Sequence, residues 1–176
     1  MPGDGRLLSD AVNSSYEHLA TFMPWARPYQ SEEESEKLVC TFRARYLLAE
    51  DFTFGIFSRD GRQLLGGSGF HLRQGSLKHR AAEIGMWIRA SQAGKGLGTA
   101  ALRALLDWGF TQWPWERLVW RASARNLASQ RVAEKVGLVR EGVQRGYHRL
   151  EDGSRDDLVN YSILRHEWNR RVHPNG

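Results

Sequence analysis

Cysteine is almost missing from this 176-residue chain, where Cys40 stands alone. One thiol cannot close an internal disulfide, which excludes the small disulfide-stapled scaffolds and agrees with a reducing compartment. Cys40 lies in a stretch of helical character and is expected to be a small buried hydrophobe rather than a nucleophile. Long apolar runs are missing too: none approaches the ~20 residues that a membrane helix requires. The opening MPGDGRLLSD has neither the charged start nor the apolar stretch of a signal peptide. A cytoplasmic protein with no membrane partner is expected. The net charge is +5 and the pI near 9.7, yet the basic residues are scattered. No Lys/Arg block or aromatic RNA-binding signature occurs, so no direct nucleic-acid partner is expected, while a phosphorylated ligand stays open. The six His are dispersed and HEWNR at 166 is not H-E-x-x-H, so no metal is expected.

What the chain does have is core material, with 41% hydrophobic residues including seven Trp and seven Phe. That suits a single domain over 1–176. Trp25, Trp87, Trp113, Trp115, Trp120 and Trp168 each read as core in the first instance. LSDAVNSSYEHLATFMPWARP predicts one helix, capped by Ser9 or Asp10 and closed by Pro24 and Pro28. A second helix follows, with Ser31 and Glu34 at capping-box spacing and Leu38, Phe42 and Tyr46 along one side. Phe52 to Phe57 and Leu64 to Leu72 read as an antiparallel hairpin turning at Arg59-Asp60-Gly61.

After a polar connection, Arg73 to Arg80, the stretch Glu83 to Ile88 predicts a strand. Ile84, Met86 and Ile88 share one face; Glu83, Gly85 and Trp87 share the other. A helix from Thr99 ends at Pro114, and the strand Arg117 to Ser123 completes a βαβ unit. A further helix, NLASQRVAEKVGL, stops at Gly137 before a short extended piece, Leu138 to Gly142. A turn at Asp152-Gly153 opens a last strand, and RHEWNRRVHPNG reads as a final turn and tail. The class is α+β, with helices flanking a mixed, largely antiparallel central sheet.

Between the strand ending at Ile88 and the helix lies AGKGLGTA, in which Gly94, Gly96 and Gly98 alternate with Lys95 and Leu97. A strand, glycine loop and helix in that order direct backbone N–H groups and a helix N-terminus at one point, which suits an anion such as phosphate. A tight turn without ligand is the plainer alternative. A nucleotide P-loop is excluded because Lys95 is followed by Gly96 rather than Ser or Thr. Gly96-x-Gly98-x-x-Ala101 fits a dinucleotide fingerprint literally, but the next strand ends in Arg121, Ala122 and Ser123, with no acidic residue for a ribose.

The loop resembles the acyl-CoA motif [QR]-x-x-G-x-[GA] of the GNAT acyltransferase superfamily at both glycines; Ala93 stands at the first position, with Gln92 adjacent. AEIGMWI, GKGLGTAAL, NLASQRVAEKVGLVREG and DDLVNYSILRHEW, in this order, resemble the RimJ/RimL-like branch, as does the opening AVNSSYEHLATFMPWA. The resemblance implies a GNAT fold, with acceptor-side helices over 1–50, hairpin, cofactor strand, loop and helix over 51–123, and the NxxS helix and C-terminal strands over 124–176. It implies acetyl-CoA as cosubstrate and a protein N-terminal amine, notably of a ribosomal protein, as acceptor. Dimers are common in the family, so a homodimer is an option.

The resemblance also distributes roles. Met86, Trp87 and Ile88 would offer backbone groups to the pantetheine arm, and Gly94, Lys95, Gly96, Leu97, Gly98 and Thr99 would cradle the pyrophosphate. Asn126 would contact the pantetheine or cap its helix. The Tyr that many members place seven residues after this Asn is Ala133 here, which leaves Ser129 as proton donor to the departing thiolate. Glu83 matches the position of a general base; an ion pair with an Arg such as Arg80 is the equal alternative. Asp156 and Asp157 are further acidic candidates, for acid–base work or for binding the acceptor. Trp25 and Tyr29 are assigned to the acceptor mouth. A small amine or antibiotic acceptor, succinyl-CoA as donor, and a non-catalytic acyl-CoA-binding module stay open.

Overall fold

The computed structural model describes residues 1–73, 77–150 and 152–172. The elements are α1 (Gly5–Asn13), α2 (Tyr16–Ala20), α3 (Glu32–Leu47), β1 (Phe52–Phe57), β2 (Leu64–His71), β3 (Ala81–Ile88), α4 (Leu97–Gln112), β4 (Arg117–Ser123), α5 (Leu127–Val136), β5 (Val139–Arg149), β6 (Arg155–Leu164) and α6 (Arg165–Val172). The strands form a mixed six-stranded sheet in the order β1-β2-β3-β4-β6-β5. Two compact units divide the chain, Met1–His71 with Gly85–Gly98, and Leu72–Ile84 with Thr99–Gly176. No described helix is long and apolar enough to cross a membrane.

In the first unit, β1 and β2 form the expected antiparallel hairpin, Phe52 opposite Phe70 and Gly55 opposite Gly67. Leu8, Ala11, Val12, Leu19, Val39 and Leu64 form its apolar cluster, with Leu7, Met23, Ala26 and Trp87 packed against them. The single opening helix expected from the sequence is two helices, α1 and α2. Ser9 and Asp10 lie inside α1 rather than at its cap. The helix starts early because the Glu36 carboxylate, on α3, takes the N–H groups of Gly3 (2.7 Å) and Gly5 (2.8 Å). The Gly5 N–H is an orphan donor of the helix N-terminus, and a carboxylate also complements the dipole there. Ser9 turns inward instead and its hydroxyl donates to the Gln30 carbonyl.

α3 keeps its capping box: Glu34 N–H donates to Ser31 Oγ at 3.1 Å, and Ser31 N–H donates back to Glu34 at 2.8 Å. Its buried line runs through Ser35 and Val39, however, and Leu38 and Cys40 face solvent. Cys40 is therefore not the core residue expected. Helical character alone leaves open which stripe turns inward, and here the positions four apart at 35 and 39 win.

In the second unit, β3 runs parallel to β4, Glu83 opposite Val119, and β4, β6 and β5 continue antiparallel. α4 buries Leu102, Leu106 and Phe110, a four-residue spacing that lines one helical face. α5 begins at the expected cap and ends on Gly137, whose φ of 89° is the left-handed cap that glycine fills without strain. β5 extends to Arg149, well beyond the expected end at Gly142. The continuation holds because Asp157 accepts the Gly146 N–H at 2.7 Å where the ladder is irregular. The expected final turn is the helix α6, anchored by buried Trp168, whose indole N–H donates to Asp107 at 2.9 Å. Residues 173–176 of the expected tail, and 74–76 of the expected connection before β3, lie outside the described residues.

Candidate active site

The glycine loop lies in the first unit. β3 ends at Ile88, and Arg89 N–H donates to Leu65 O at 2.8 Å while its guanidinium pairs with Asp10 at 2.8 Å. Ala90 N–H donates to Ser15 Oγ at 3.0 Å, which ties the start of the loop to the α1–α2 junction. Gly94 and Gly96 then adopt φ of 74° and 84°. Only glycine takes this region readily, so the two alternate glycines are required by the backbone itself. No atom lies within 4 Å of where a Cβ would stand at either. The loop is consequently open, exposed at Gly94, Lys95 and Gly96, and it leads straight into the sixteen-residue α4 at Leu97. Gly98 and Thr99 belong to the first turn of that helix, where backbone N–H groups have no intrahelical acceptor.

On β3 in the same unit, Trp87 stands edge-on to Trp25 with ring centroids 6.0 Å apart. Trp25 is 49% exposed and Tyr29 69% exposed, so both aromatics assigned to an acceptor mouth are available to a partner. Trp25 is thus not core; Trp115, Trp120 and Trp168 are.

In the second unit, Glu83 is 4% exposed and both its oxygens are occupied. Arg73 Nη1 donates to Oε1 at 2.5 Å and Arg121 Nε to Oε2 at 2.6 Å. The ion-pair alternative is realised, but with different arginines. Arg80 instead pairs with Glu116 at 3.3 Å. The reason is the ladder: Glu83 opposes Val119, so Arg121, two residues on, shares its face and reaches it diagonally. Arg121 also lies over the Tyr147 ring, 5.9 Å from its centroid. The sequence reading missed both Arg73 and Arg121; alternation along β4 was the signal that pointed to the second.

Asn126 caps α5, its Oδ1 accepting the Ser129 N–H at 3.0 Å. Ser129 Oγ accepts the Trp120 indole N–H at 3.0 Å. Indole is donor-only, so this bond orients the hydroxyl oxygen and leaves its hydrogen to donate elsewhere. Asp156 is buried, bonded by the Ser123 hydroxyl and 3.8 Å from Arg125 Nε. Asp157 accepts the Gly146 N–H. Both aspartates therefore have structural partners, Asp156 on both oxygens and Asp157 on one. Among the described residues no group of three or more His, Cys, Asp or Glu converges on a point.

The model of the acetyltransferase (GNAT) domain family matches residues 4–139. The chain belongs to this family. The acetyltransferase is 31% identical over 169 residues to the putative ribosomal N-acetyltransferase YdaF of Bacillus subtilis, covering 95% of this chain and 89% of the relative. It is 29% identical over 140 residues to the ribosomal-protein-serine acetyltransferase of Escherichia coli, covering 80% and 75%. Its fold is that of RimL, the ribosomal L7/L12 α-N-protein acetyltransferase solved with coenzyme A, at a TM-score of 0.83 and 22% identity, covering 93% of this chain and 90% of that one. These relatives support the RimJ/RimL-like branch.

Proposed function

We propose that this GNAT acetyltransferase uses acetyl-CoA to acetylate the N-terminal α-amine of a protein, of the ribosomal-protein type. The loop carries the reading: Gly94 and Gly96 are left-handed, nothing stands where their side chains would be, and a long helix starts directly behind them. That is a cradle suited to a pyrophosphate, which binds to backbone donors and a helix N-terminus. Bound acetyl-CoA would supply an acetyl group already activated as a thioester. The backbone of Met86, Trp87 and Ile88 would pair with its amides, with Asn126 as a further contact. The Ser129 hydroxyl, oriented by Trp120, has a hydrogen to give to the leaving sulfur. Trp25 and Tyr29 offer exposed aromatic surface to an extended peptide. The relatives named as ribosomal and ribosomal-protein-serine acetyltransferases support a polypeptide acceptor.

An acceptor ammonium must lose a proton before it attacks. For Glu83 to take it, a guanidinium must first leave. Arg73, whose side chain is 55% exposed, is the one that can swing out; Arg121 is only 18% exposed.

The test is mass spectrometry of peptides incubated with acetyl-CoA, with thiol release followed in parallel. Peptides with free N-termini should gain one acetyl group, and the same peptides blocked at the N-terminus but carrying Lys should not. Acetylation of lysine or of polyamines in preference would replace the proposed acceptor. Gly96→Val should weaken acetyl-CoA binding by about two orders of magnitude, combining ~1–3 kcal/mol of backbone strain with loss of the cradle. Titration calorimetry reads this directly, and unchanged affinity would remove the loop from the site.

A further inference from the structure

A second ionisable pair lies in the first unit. Asp51 immediately precedes β1 and His71 ends β2; with Phe52 opposite Phe70 in the hairpin, the two stand across from one another. His71 Nδ1 is 2.8 and 3.1 Å from the two Asp51 oxygens. A carboxylate accepts, so the neutral ring carries its hydrogen on Nδ1 and its lone pair on Nε2. Asp51 is the partner that the structure gives this ring.

The surroundings of Nε2 are specific. A Cβ at Gly85 would lie 3.0 Å from Nε2, and one at Gly69 would lie 3.0 Å from it and 2.8 Å from Cε1. The Nε2 edge of the imidazole therefore sits against two glycines, a placement that any side chain at either position would disturb. The same face continues along β2 to Gly67, where a Cβ would run into the Trp87 indole. Gly67, Gly69 and His71 alternate on β2, as Gly85 and Trp87 do on β3. The face thus has the Trp25–Trp87 pair at one end and Nε2 at the other. The His71 side chain is sheltered but not sealed, 16% of it being exposed.

We propose that His71 is the catalytic proton acceptor for the amine and that Asp51 is its positioning residue; this rests on the acetyltransferase reading above. Imidazole changes charge nearest neutrality, which suits a base that must take a proton and return it to water. In the step, an ammonium gives one proton to Nε2. The freed nitrogen bonds to the thioester carbonyl carbon, the carbon–sulfur bond breaks, and the nitrogen's second proton ends on the departing sulfur. Amide, thiol and one proton passed from Nε2 to solvent balance the reaction. No guanidinium has to be displaced.

Kinetics of His71→Gln, read beside wild type, test the assignment. The expected result is a fall in kcat of about 10²-fold or more, with acetyl-CoA binding by calorimetry unchanged and partial rescue of His71→Ala by added imidazole. Asp51→Asn should lower kcat with the peptide KM unchanged, and the imidazole 15N shifts of His71 should report loss of the fixed Nδ1–H tautomer. Independently of turnover, diethyl pyrocarbonate should carbethoxylate His71 in the wild-type protein, because the reagent needs an accessible, unprotonated ring nitrogen. A wild-type rate in His71→Gln, or a His71 that resists the reagent while other histidines react, overturns the proposal. Loss of turnover in Glu83→Gln alone returns the base to Glu83. A wild type that turns over no amine overturns the acetyltransferase reading itself, and the inference with it.

Discussion

Glu83 and His71 are both sheltered ionisable groups on strands, and both are held by charged partners, yet they are held in opposite ways. Glu83 has a guanidinium on each oxygen, whereas His71 has a carboxylate on one nitrogen and glycines against the other. Saturating both ends of a group turns it into architecture. Fixing one end and clearing the other turns it into a reagent, which is the arrangement that orienting partners give to metal-binding and catalytic histidines generally.

Removing the saturated group should have the larger consequence. Glu83→Ala leaves Arg121 largely buried without its counter-charge and should cost about 3–5 kcal/mol of stability, as breaking a buried ion pair does. Urea unfolding measures it, and a loss near zero would show that the double pair is not structural. Gly85→Ala probes the other side of the comparison. Its methyl would press on a ring that Asp51 keeps from retreating, so turnover should fall by about tenfold with stability changed by less than about 1 kcal/mol. Steady-state kinetics and thermal unfolding of the same preparation separate the two effects.

A third carboxylate calibrates the first. Glu141 takes two hydrogen bonds from Arg117, at 2.5 and 2.8 Å, and one from Ser162. The Arg117 hydrogen bond holds its carboxyl below the ordinary carboxylate range; burial opposes it, and the Ser162 hydrogen bond and the Arg117 charge add to the lowering. A depressed folded value means that the stabilisation is present above the unfolded value and is lost as the pH falls through the folded one. Glu141→Gln should therefore lower stability slightly at neutral pH, leave it unchanged at acid pH, and so flatten the acid limb of Tm against pH. The effect should be the smallest of the three, below about 1 kcal/mol, because Glu141 is 38% exposed and screened.

The local geometry of the loop and of the α5 cap is legible in the sequence. The loop was legible because glycine carries conformational information by itself: Gly94 and Gly96 alternate and both are left-handed. The α5 cap at Asn126 and Ser129 was legible for a similar local reason, since both partners lie within one helical turn. Glu83 could be placed on its strand face by parity, but its partners could not, because Arg121 is 38 residues away and meets it through strand register. His71 is not legible in the sequence. A lone histidine at the end of a strand says nothing until the hairpin closes and sets Asp51 opposite it.

The sequence by itself determined the α+β class, the hairpin, the βαβ unit, the glycine loop and the family. These rest on periodicity, turn chemistry and motif spacing, all properties of neighbouring residues. Tertiary structure alone decided the rest. The start of α1 depends on a Glu36 carboxylate more than thirty residues away, and α6 depends on the Trp168 anchor on Asp107. It also set a guanidinium on each oxygen of Glu83 and a carboxylate on one nitrogen of His71, since the partners of a charged group are the ones that a folded sheet brings to it.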